Sequence, residues 1–567
     1  MSGTPAAAPM TGAGELFAVV EVDIDGTRLR VFSNAPPSLS AIWELSAGHG
    51  DATYLVYGDE RFSYARTHEV VEVLARSLAN TFGVRPRDRV AIAMRNYPEW
   101  VLAFWAAARL GAVVVPLNAW WTGPELAYGL ADSGAKVLVA DGERLERVAA
   151  ELAGTAVDTV IGTRADRLPG GALSLDDVLA QAPGGDLPAV EVGPDDLATI
   201  MYTSGTTGRP KGAMGTHRNL GGHIMNAMYA ALARGASVPG AAPEAGAPVR
   251  PVTLLTFPLF HVGGLHSFLL PYTVSGGEVV LLYRWDVAQA LDLIEREGVN
   301  AIAGVPTTMF ELLDESRRQG RTLDSLAGVA SGATLVPPEL VRRIDSQLAH
   351  RAAPTNGYGL TETSGAAVAN VGDDYVRHPD SVGTPISPVM EVRVSGADGE
   401  PVPAGDTGEI WIKGPTVFRG YLNNPEATAA ALSDGWFRTG DVGRLDDDGF
   451  LYVVDRLKDV VIRGGENVYA AEVEAALYEH PDVAEAAIVG VPDERYGEAV
   501  AAVVRLRPGA TTDVDGLRAH VAGRLAAFKV PSIVRVTGDP LPRNAAGKVL
   551  KRKLRTLLDP PGDESTG

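Results

Sequence analysis

The chain has 567 residues, of which 46% are hydrophobic and 21% charged, a composition typical of a soluble globular protein. More than one domain is expected at this length. The formal net charge of −20 argues against a nucleic-acid partner, and the absence of cysteine excludes disulfides, thiolate metal sites and a cysteine nucleophile.

The sequence shows no signal for export or membrane insertion. Its opening residues lack a basic segment followed by an apolar one. The longest apolar stretch, 100–117, is interrupted by Arg109 and Gly111 and predicts a helix followed by a strand. A cytoplasmic protein without a transmembrane segment is therefore expected.

Residues 1–37 predict an N-terminal extension, because they are rich in Ala, Gly and Pro and then charged. From about residue 38 strands and helices alternate, which predicts an α/β fold with mostly parallel sheets up to about residue 350. The clearest elements are strands at 89–94, 112–116 and 136–140, and a helix at 98–111. Residues 235–251 predict an exposed loop.

Beyond about residue 396 the pattern changes to shorter strands with turn signals, which predicts a β-rich subdomain. The last hundred residues predict a small α+β domain. Its expected elements are helices at 471–478 and 514–525 and strands at 486–491 and 501–506. The charged segment 455–459 is the expected boundary, so we predict a large domain at 38–457 and a small, mobile C-terminal domain at 458–567.

Residues 201–212 form the most informative segment of the chain. They follow an apolar, β-rich run and combine glycines, hydroxyl side chains and two cations, which together suit an anion-binding loop. The common nucleotide loop, Gly-x-x-x-x-Gly-Lys-Ser/Thr, does not fit, because Pro210 stands five positions after Gly205 and Gly212 follows Lys211. The segment predicts a different phosphate loop. The alternative is a solvated linker.

Three further segments carry candidate chemistry. In residues 356–363, Tyr358 suits stacking on a purine, Thr361 a phosphate contact and Glu362 a Mg²⁺ ion. Asp441 suits ribose hydroxyls, and Lys548 stands at the tip of a loop. Each segment alone also fits an ordinary turn or a solvated side chain.

Taken in this order, the segments 203–212, 358–362, 436–441, 455–467 and 542–548 resemble the adenylate-forming superfamily, specifically its acyl-CoA synthetase branch. The resemblance extends from about residue 38 to 557. It implies an AMP-forming, ATP-dependent acid–thiol ligase that uses ATP, Mg²⁺ and coenzyme A, with a small carboxylic acid as substrate. A homodimer is left open.

The resemblance also assigns roles to residues. It implies catalytic roles for Lys548, Glu362, Thr203 and His261, magnesium ligands at Glu362 and Thr206, and a hinge at Lys458. The implied cofactor contacts are Thr203, Ser204, Gly205, Thr206, Thr207, Gly208, Lys211, Gly332, Ala333, Asn356, Gly357, Tyr358, Gly359, Thr361, Asp441, Arg456, Lys458, Gly464, Gly465, Phe528 and Lys548. Ser331 stands where the family usually has a second glycine.

The acid is less clear than the reaction. An amino acid is disfavoured, because Phe260 is followed by His261 and Val262 rather than by a carboxylate that would pair with an ammonium group. A fatty acid is the first expectation, and an aryl or alicyclic acid is the alternative. The pocket for the acid is expected to include His223, Met225 and Asn226 and the loop at 305–309.

Other functions share these segments. An acyl-AMP ligase that loads a separate carrier protein and a luciferase-like oxygenase both remain open. A nucleotide sensor without catalysis is disfavoured, because Glu362, Asp441, Arg456 and Lys548 are all present.

Overall fold

Two large β-sheets and the helices between them carry most of the chain. The computed structural model describes residues 10–203, 209–234, 250–334, 336–348, 351–457, 459–464, 466–493, 495–544 and 547–558.

The first strands in chain order are β1 (Val19–Ile24), β2 (Thr27–Phe32), β3 (Thr53–Tyr57), β4 (Glu60–Ser63), β5 (Arg89–Ala93), β6 (Val113–Pro116), β7 (Val137–Asp141), β8 (Thr159–Thr163), β9 (Leu173–Ser174), β10 (Leu197–Thr203) and β11 (Lys211–Thr216). They are followed by β12 (Val252–Leu255), β13 (Glu278–Leu281), β14 (Ala301–Gly304), β15 (Gly328–Gly332), β16 (Ala353–Leu360), β17 (Gly365–Val371) and β18 (Thr384–Pro385). The last are β19 (Glu391–Ser395), β20 (Gly408–Lys413), β21 (Gly420–Tyr421), β22 (Leu432–Ser433), β23 (Trp436–Leu445), β24 (Leu451–Arg456), β25 (Val461–Arg463), β26 (Glu466–Val468), β27 (Val483–Asp493), β28 (Gly497–Leu506) and β29 (Ile533–Thr537).

The helices begin with α1 (Leu39–Ser46), α2 (Tyr64–Arg76), α3 (Pro98–Arg109), α4 (Gly123–Ser133), α5 (Gly142–Val148), α6 (Leu175–Ala180), α7 (His217–Arg234), α8 (Val262–Gly264) and α9 (Leu270–Ser275). They continue with α10 (Val287–Glu297), α11 (Pro306–Gln319), α12 (Pro338–Gln347), α13 (Gly372–Arg377), α14 (Pro425–Ala431), α15 (Ala470–Tyr478), α16 (Val514–Ala522) and α17 (Lys551–Leu558).

The two large sheets are parallel inside and antiparallel at three of their four edges, since the edge strand β9 pairs parallel with β8. One has the order β21-β11-β10-β6-β5-β7-β8-β9, and the other β18-β17-β16-β15-β14-β12-β13-β3-β4. The pairs β10–β6, β5–β6 and β14–β15 are parallel, whereas β11, β17 and β4 pair antiparallel with their neighbours. The predicted α/β class with mostly parallel sheets is confirmed.

The remaining strands form smaller sheets. β19, β20, β22, β23 and β24 make an antiparallel sheet in the β-rich region predicted after residue 396. β25 to β29 make the sheet of the C-terminal region, where β28 pairs antiparallel with β27 and parallel with β29. The predicted strands at 486–491 and 501–506 are the inner parts of β27 and β28.

Helix α3 explains how the two large sheets hold together. Its side chains are buried nearly all round, including Trp100, Phe104 and Trp105, and they share one apolar core with residues of both sheets. A helix that is apolar on every face is buried inside a protein or spans a membrane. Here α3 is internal, and no helix in the described ranges is both long and apolar enough to cross a bilayer.

The region predicted as an N-terminal extension contains an ordered hairpin. β1 and β2 pair antiparallel, and both turn residues, Asp25 and Gly26, have positive φ as a two-residue hairpin turn requires. Phe17 and Phe32 are buried against Met225 of α7. Composition gave no hint of this, because the packing partners are distant in sequence.

We expect Phe17→Ala to lower the free energy of unfolding by about 3–5 kcal/mol, because Phe17 is fully buried and its loss leaves a cavity against α7. Denaturant titration measures the change. The control is Val20→Ala in β1, whose side chain is 44% exposed and whose loss has little effect. Equal destabilisation by both variants would contradict this packing.

Candidate active site

A cavity of about 630 Å³ opens where the strands of both large sheets, the antiparallel sheet and the C-terminal region meet. Its polar part is lined mainly by predicted site residues. They are Thr203, Lys211, Gly332, Ala333, Asn356, Gly357, Gly359, Thr361, Glu362, Asp441, Arg456 and Lys548, and His261 also lines the cavity. Residues far apart in sequence therefore converge on one site.

The predicted phosphate loop connects two paired strands. Thr203 ends β10 and Lys211 begins β11, and the two residues are directly opposite in the antiparallel register. The Lys211 ammonium lies 4.9 Å from the centre of the Tyr421 ring. Ser204, Gly205, Thr206, Thr207 and Gly208 lie outside the described residues, so the magnesium ligand predicted at Thr206 stays a prediction.

The predicted nucleoside contacts are already joined by hydrogen bonds. Tyr358 donates its hydroxyl hydrogen to Asp441 Oδ2 at 2.8 Å, and Arg456 Nε lies 3.1 Å from Asp441 Oδ1. Gly332 of β15 lies opposite Gly357 of β16, so neither strand has a side chain at this position. The arrangement holds the aromatic ring and the carboxylate in place before a nucleotide arrives.

Glu362 is a buried carboxylate, with 8% of the residue exposed. Burial raises the pKa of Glu362, while the hydrogen bond from Tyr421, at 2.7 Å, and the charges of Arg456 and Lys211 lower it. Mg²⁺ binds through one or two carboxylates together with phosphates and water. The described residues contain no group of three or more metal-ligating side chains, and a single glutamate beside a phosphate loop fits Mg²⁺.

Lys548 reaches the cavity from the C-terminal region. The backbone N–H of Lys548 donates to Asn544 Oδ1 at 2.9 Å, and Arg543, paired with Glu485 at 2.6 Å, also donates to the carbonyl of Gly547. These bonds brace the loop that carries the lysine. An ion pair between Arg507 and Asp314, 3.5 Å apart, adds a contact from the C-terminal region to α11.

His261 precedes α8 and lines the cavity. Burial alone lowers the pKa of its imidazole to about 4, so the ring is neutral near pH 7. Its Nε2 has no hydrogen-bond partner in the described part of the chain. The ring is thus available to a ligand as a neutral group.

Some predicted residues, Tyr358 among them, do not line this cavity. Gly464 lies in the turn between β25 and β26, and its N–H donates to the carbonyl of Tyr496 at 2.8 Å. Phe528 packs on the core of the C-terminal region. Lys458 and Gly465 lie outside the described residues.

The rest of the lining is largely apolar, and we call it the inner pocket. It consists of His223, Ala227, Ala230, Phe257, Val262, Ser267, Phe268, Ala303, Ala330, Thr355, Gly365, Ala366, Ala369, Val371 and Ile386. His223 was expected here. Met225 faces the hairpin instead, and the Asn226 side chain accepts a hydrogen bond from Ser387 at 2.6 Å. The loop at 305–309, which was also expected here, does not line the cavity.

Sequence analysis missed Tyr421, which contacts both Glu362 and Lys211. It belongs to the short strand β21, which pairs with β11. No motif marks it, because its role follows from strand pairing between segments about two hundred residues apart. The small residues of the inner pocket were missed for the same reason.

Comparison with known proteins establishes the family of this chain. The family model for the AMP-binding enzyme matches residues 42–422, and that for the AMP-binding enzyme C-terminal domain matches residues 472–548. A feruloyl-CoA synthase of Amycolatopsis sp is 40% identical over 89% of this chain and 95% of its own length. A long-chain-fatty-acid–CoA ligase of Mycobacterium tuberculosis is 34% identical over 94% of this chain and 97% of its own.

A solved structure is also similar over most of its length. It is the o-succinylbenzoate CoA synthetase of Bacillus subtilis in complex with an acyl-adenylate intermediate, with a TM-score of 0.77 and 31% identity over 92% of this chain and 98% of the other. The chain belongs to the AMP-binding enzyme family. It is an ATP-dependent, AMP-forming acid–thiol ligase of the acyl-CoA synthetase branch, with ATP, Mg²⁺ and coenzyme A as its cofactors.

We expect Lys548→Ala to slow formation of the acyl-adenylate by about 10²–10³-fold, the cost of losing a preorganised charge donor. ATP binding is expected to change little, because the nucleoside contacts lie elsewhere. Pyrophosphate exchange and equilibrium binding of ATP measure the two effects. Lys553→Ala, an exposed lysine in α17, is the matched control. A full exchange rate in Lys548→Ala would contradict the prediction.

We expect Tyr421→Phe to move the acidic limb of the pH profile to higher pH. Tyr421 lowers the pKa of Glu362, so its loss raises that pKa further. The predicted role of Glu362 as a Mg²⁺ ligand requires its ionised form. Activity falls as the pH drops through the pKa of Glu362, and it therefore falls sooner in the variant. The KM for Mg-ATP is expected to rise about 10-fold. Tyr452→Phe, outside the cavity, is the control, and an unshifted profile in Tyr421→Phe would refute the prediction.

Proposed function

We propose that this chain activates a ring-bearing carboxylic acid, aryl or alicyclic, and transfers its acyl group to coenzyme A. The carboxylate attacks the α-phosphorus of ATP and releases pyrophosphate, which leaves an acyl-adenylate. The thiol of coenzyme A then attacks the acyl carbon and releases AMP and a proton. The choice of a ring-bearing acid rests on the breadth of the inner pocket.

In the first step two anions must approach each other. Lys211, Arg456 and Lys548 line the cavity and place positive charge around them. Fixed charges of this kind stabilise the charge that develops in the transition state. Glu362 would hold Mg²⁺, which would neutralise further charge on the phosphates. His261 is neutral and so does not hold the carboxylate in a tight ion pair.

The second step needs different groups at the same carbon. Lys548 lines the cavity in this structure, whereas Gly464 lies outside it. We therefore assign this structure to the adenylating arrangement. For thioester formation the C-terminal region turns at Lys458, which withdraws Lys548 and brings the turn at Gly464 to the site.

The inner pocket is broad on two sides. Ala303, Ala330, Thr355 and Val371 lie side by side on β14, β15, β16 and β17, which gives a floor about 14 Å wide. On α7, His223, Ala227 and Ala230 follow at helical spacing over about 10 Å. Small side chains on both walls suit a planar ring system.

A fatty acid is the second candidate. The inner pocket is mostly apolar, and one relative of 34% identity is named for long-chain fatty acids. The relative of 40% identity is named for ferulic acid, and the similar solved structure carries an aromatic acid. The shape of the pocket and the higher sequence identity to the feruloyl-CoA synthase both favour the ring-bearing acid over the fatty acid.

A pyrophosphate-release screen tests the proposal. Cinnamic, indoleacetic, cyclohexanecarboxylic, octanoic and palmitic acids are compared, each with and without coenzyme A. We expect the highest kcat/KM for a ring-bearing acid and acyl-CoA as the product. A preference for palmitic over every ring-bearing acid would select the second candidate.

We expect Lys458→Pro to preserve acyl-adenylate formation and to slow thioester formation about 10-fold or more, because proline fixes φ at the hinge. Lys458→Ala, which keeps the backbone free to rotate, is the control and retains both rates. Rapid-quench measurement of each half-reaction separates the effects. Full rates for both steps in Lys458→Pro would disprove the hinge.

A further inference from the structure

Asp455 is a buried carboxylate next to the proposed hinge, and it does not line the cavity. It is 5% exposed and lies near the end of β24, three residues before Lys458. One of its oxygens accepts from the backbone N–H of Arg456 at 2.7 Å, and the other accepts from the backbone N–H of Ala470. A buried charge is costly unless it is paired and hydrogen-bonded, so these contacts keep the carboxylate in place.

The hydrogen bond to Ala470 crosses the hinge. Asp455 belongs to the antiparallel sheet, where it lies opposite Val442 of β23. Ala470 is the first residue of α15, and with Val473 it packs in the core of the C-terminal region. A turn at Lys458 moves one part relative to the other, so the bond is made only where the two parts meet as they do here.

This bond also completes the beginning of α15. The first N–H groups of a helix have no partner inside the helix, and a side chain of the preceding residue commonly caps them. The preceding residue is Tyr469, whose side chain makes no capping bond. Asp455 supplies the cap instead, and its negative charge suits the positive end of the helix dipole. The helix loses this cap when the two parts separate.

Lys551 adds an electrostatic attraction between the same two parts. Its ammonium group lies 2.9 Å from Glu474 of α15, and 19% of each side chain is exposed. Burial raises the pKa of Asp455 to about 6, and the positive charge of Lys551 is the main influence that lowers it. Asp455 is therefore ionised at about pH 8 and attracts Lys551. Because Lys548 precedes Lys551 by three residues, the segment that carries the cavity lysine is drawn to β24 as well.

We propose that Asp455 is a positioning residue, which holds the C-terminal region in the adenylating arrangement through Ala470 and Lys551. This inference rests on the proposed turn at Lys458. Asp455 acts by keeping Arg456 and Lys548 at one site, and it touches no reacting atom. Loss of its carboxylate should therefore slow the first half-reaction and spare the second.

Distance measurements between two spin labels test the proposal. The chain has no cysteine, so Gln319→Cys in α11 and Ala519→Cys in α16, both exposed, are the only positions that take a label. Pulsed electron paramagnetic resonance measures the label distance at about pH 8 with Mg-ATP. We expect two distances, one for each arrangement, with the adenylating one predominant.

Asp455→Ala is expected to lower the ratio of the adenylating to the turned arrangement about 10-fold to 100-fold, the effect of losing a hydrogen bond to a charged group. Asp455→Asn keeps the size of the side chain, guards against misfolding and should have a smaller effect in the same direction. Asp446→Asn is the matched control, because Asp446 accepts from the N–H groups of Asp448 and Phe450 within one turn of the same sheet. The control should leave the ratio unchanged.

The two half-reactions give a second readout, with the best acid of the pyrophosphate-release screen. Pyrophosphate exchange should slow about 10-fold to 100-fold in Asp455→Ala. Transfer of the acyl group from preformed acyl-adenylate to coenzyme A should keep its rate or become faster. A merely structural role would lower both rates together, and that result would contradict the proposal.

The outcomes separate the role of Asp455 from the turn itself. Two distances with an unchanged ratio in both Asp455 variants would show that Asp455 does not hold the arrangement, while the turn at Lys458 stands. A single distance in every variant, with Mg-ATP and with coenzyme A, would overturn the turn and this inference with it. Neither result affects the proposal of a ring-bearing acid.

Discussion

The reaction requires a carboxylate to approach a triphosphate, and the structure must offset the electrostatic repulsion between these two anions. The chain as a whole has a formal charge of −20, so its average field opposes the substrates. The compensating positive charge is local. Lys211, Arg456 and Lys548 come from three separate parts of the chain to one cavity. Lys211 is carried by a strand of a large sheet, Arg456 by the smaller antiparallel sheet and Lys548 by a loop of the C-terminal region.

Each cation is also held by neighbouring side chains, so it needs to move little when the reaction takes place. Arg456 is paired with Asp441, which also accepts from Tyr358. Lys211 lies over the Tyr421 ring, and Tyr421 donates to Glu362. The residues predicted to contact phosphate, metal and ribose are therefore linked through a few side chains. A preorganised site of this kind stabilises developing charge better than mobile water does.

The reaction class could be predicted from sequence, because the residues predicted to contact phosphate and ribose lie in short, contiguous segments. Helix α3 and strand β7 were also predictable, since α3 is a long apolar run between Pro98 and Gly111 and β7 is a short, continuous apolar run. The inner pocket could not be predicted from sequence. Its floor depends on the register of four strands separated by up to about seventy residues, and its alanines have no distinctive local pattern. Tyr421 and the hairpin were missed for the same physical reason, which is that tertiary pairing leaves no local signature.

Helix α7 separates the inner pocket from the N-terminal hairpin. One face presents His223, Ala227 and Ala230 to the pocket, and Met225 on another face packs on Phe17 and Phe32. Substitutions in the hairpin that shift this helix by a fraction of an ångström would change the pocket width without touching any substrate atom. The N-terminal segment is thus a remote adjustment point, through which evolution or an engineer can retune acid selectivity while the adenylating machinery stays intact.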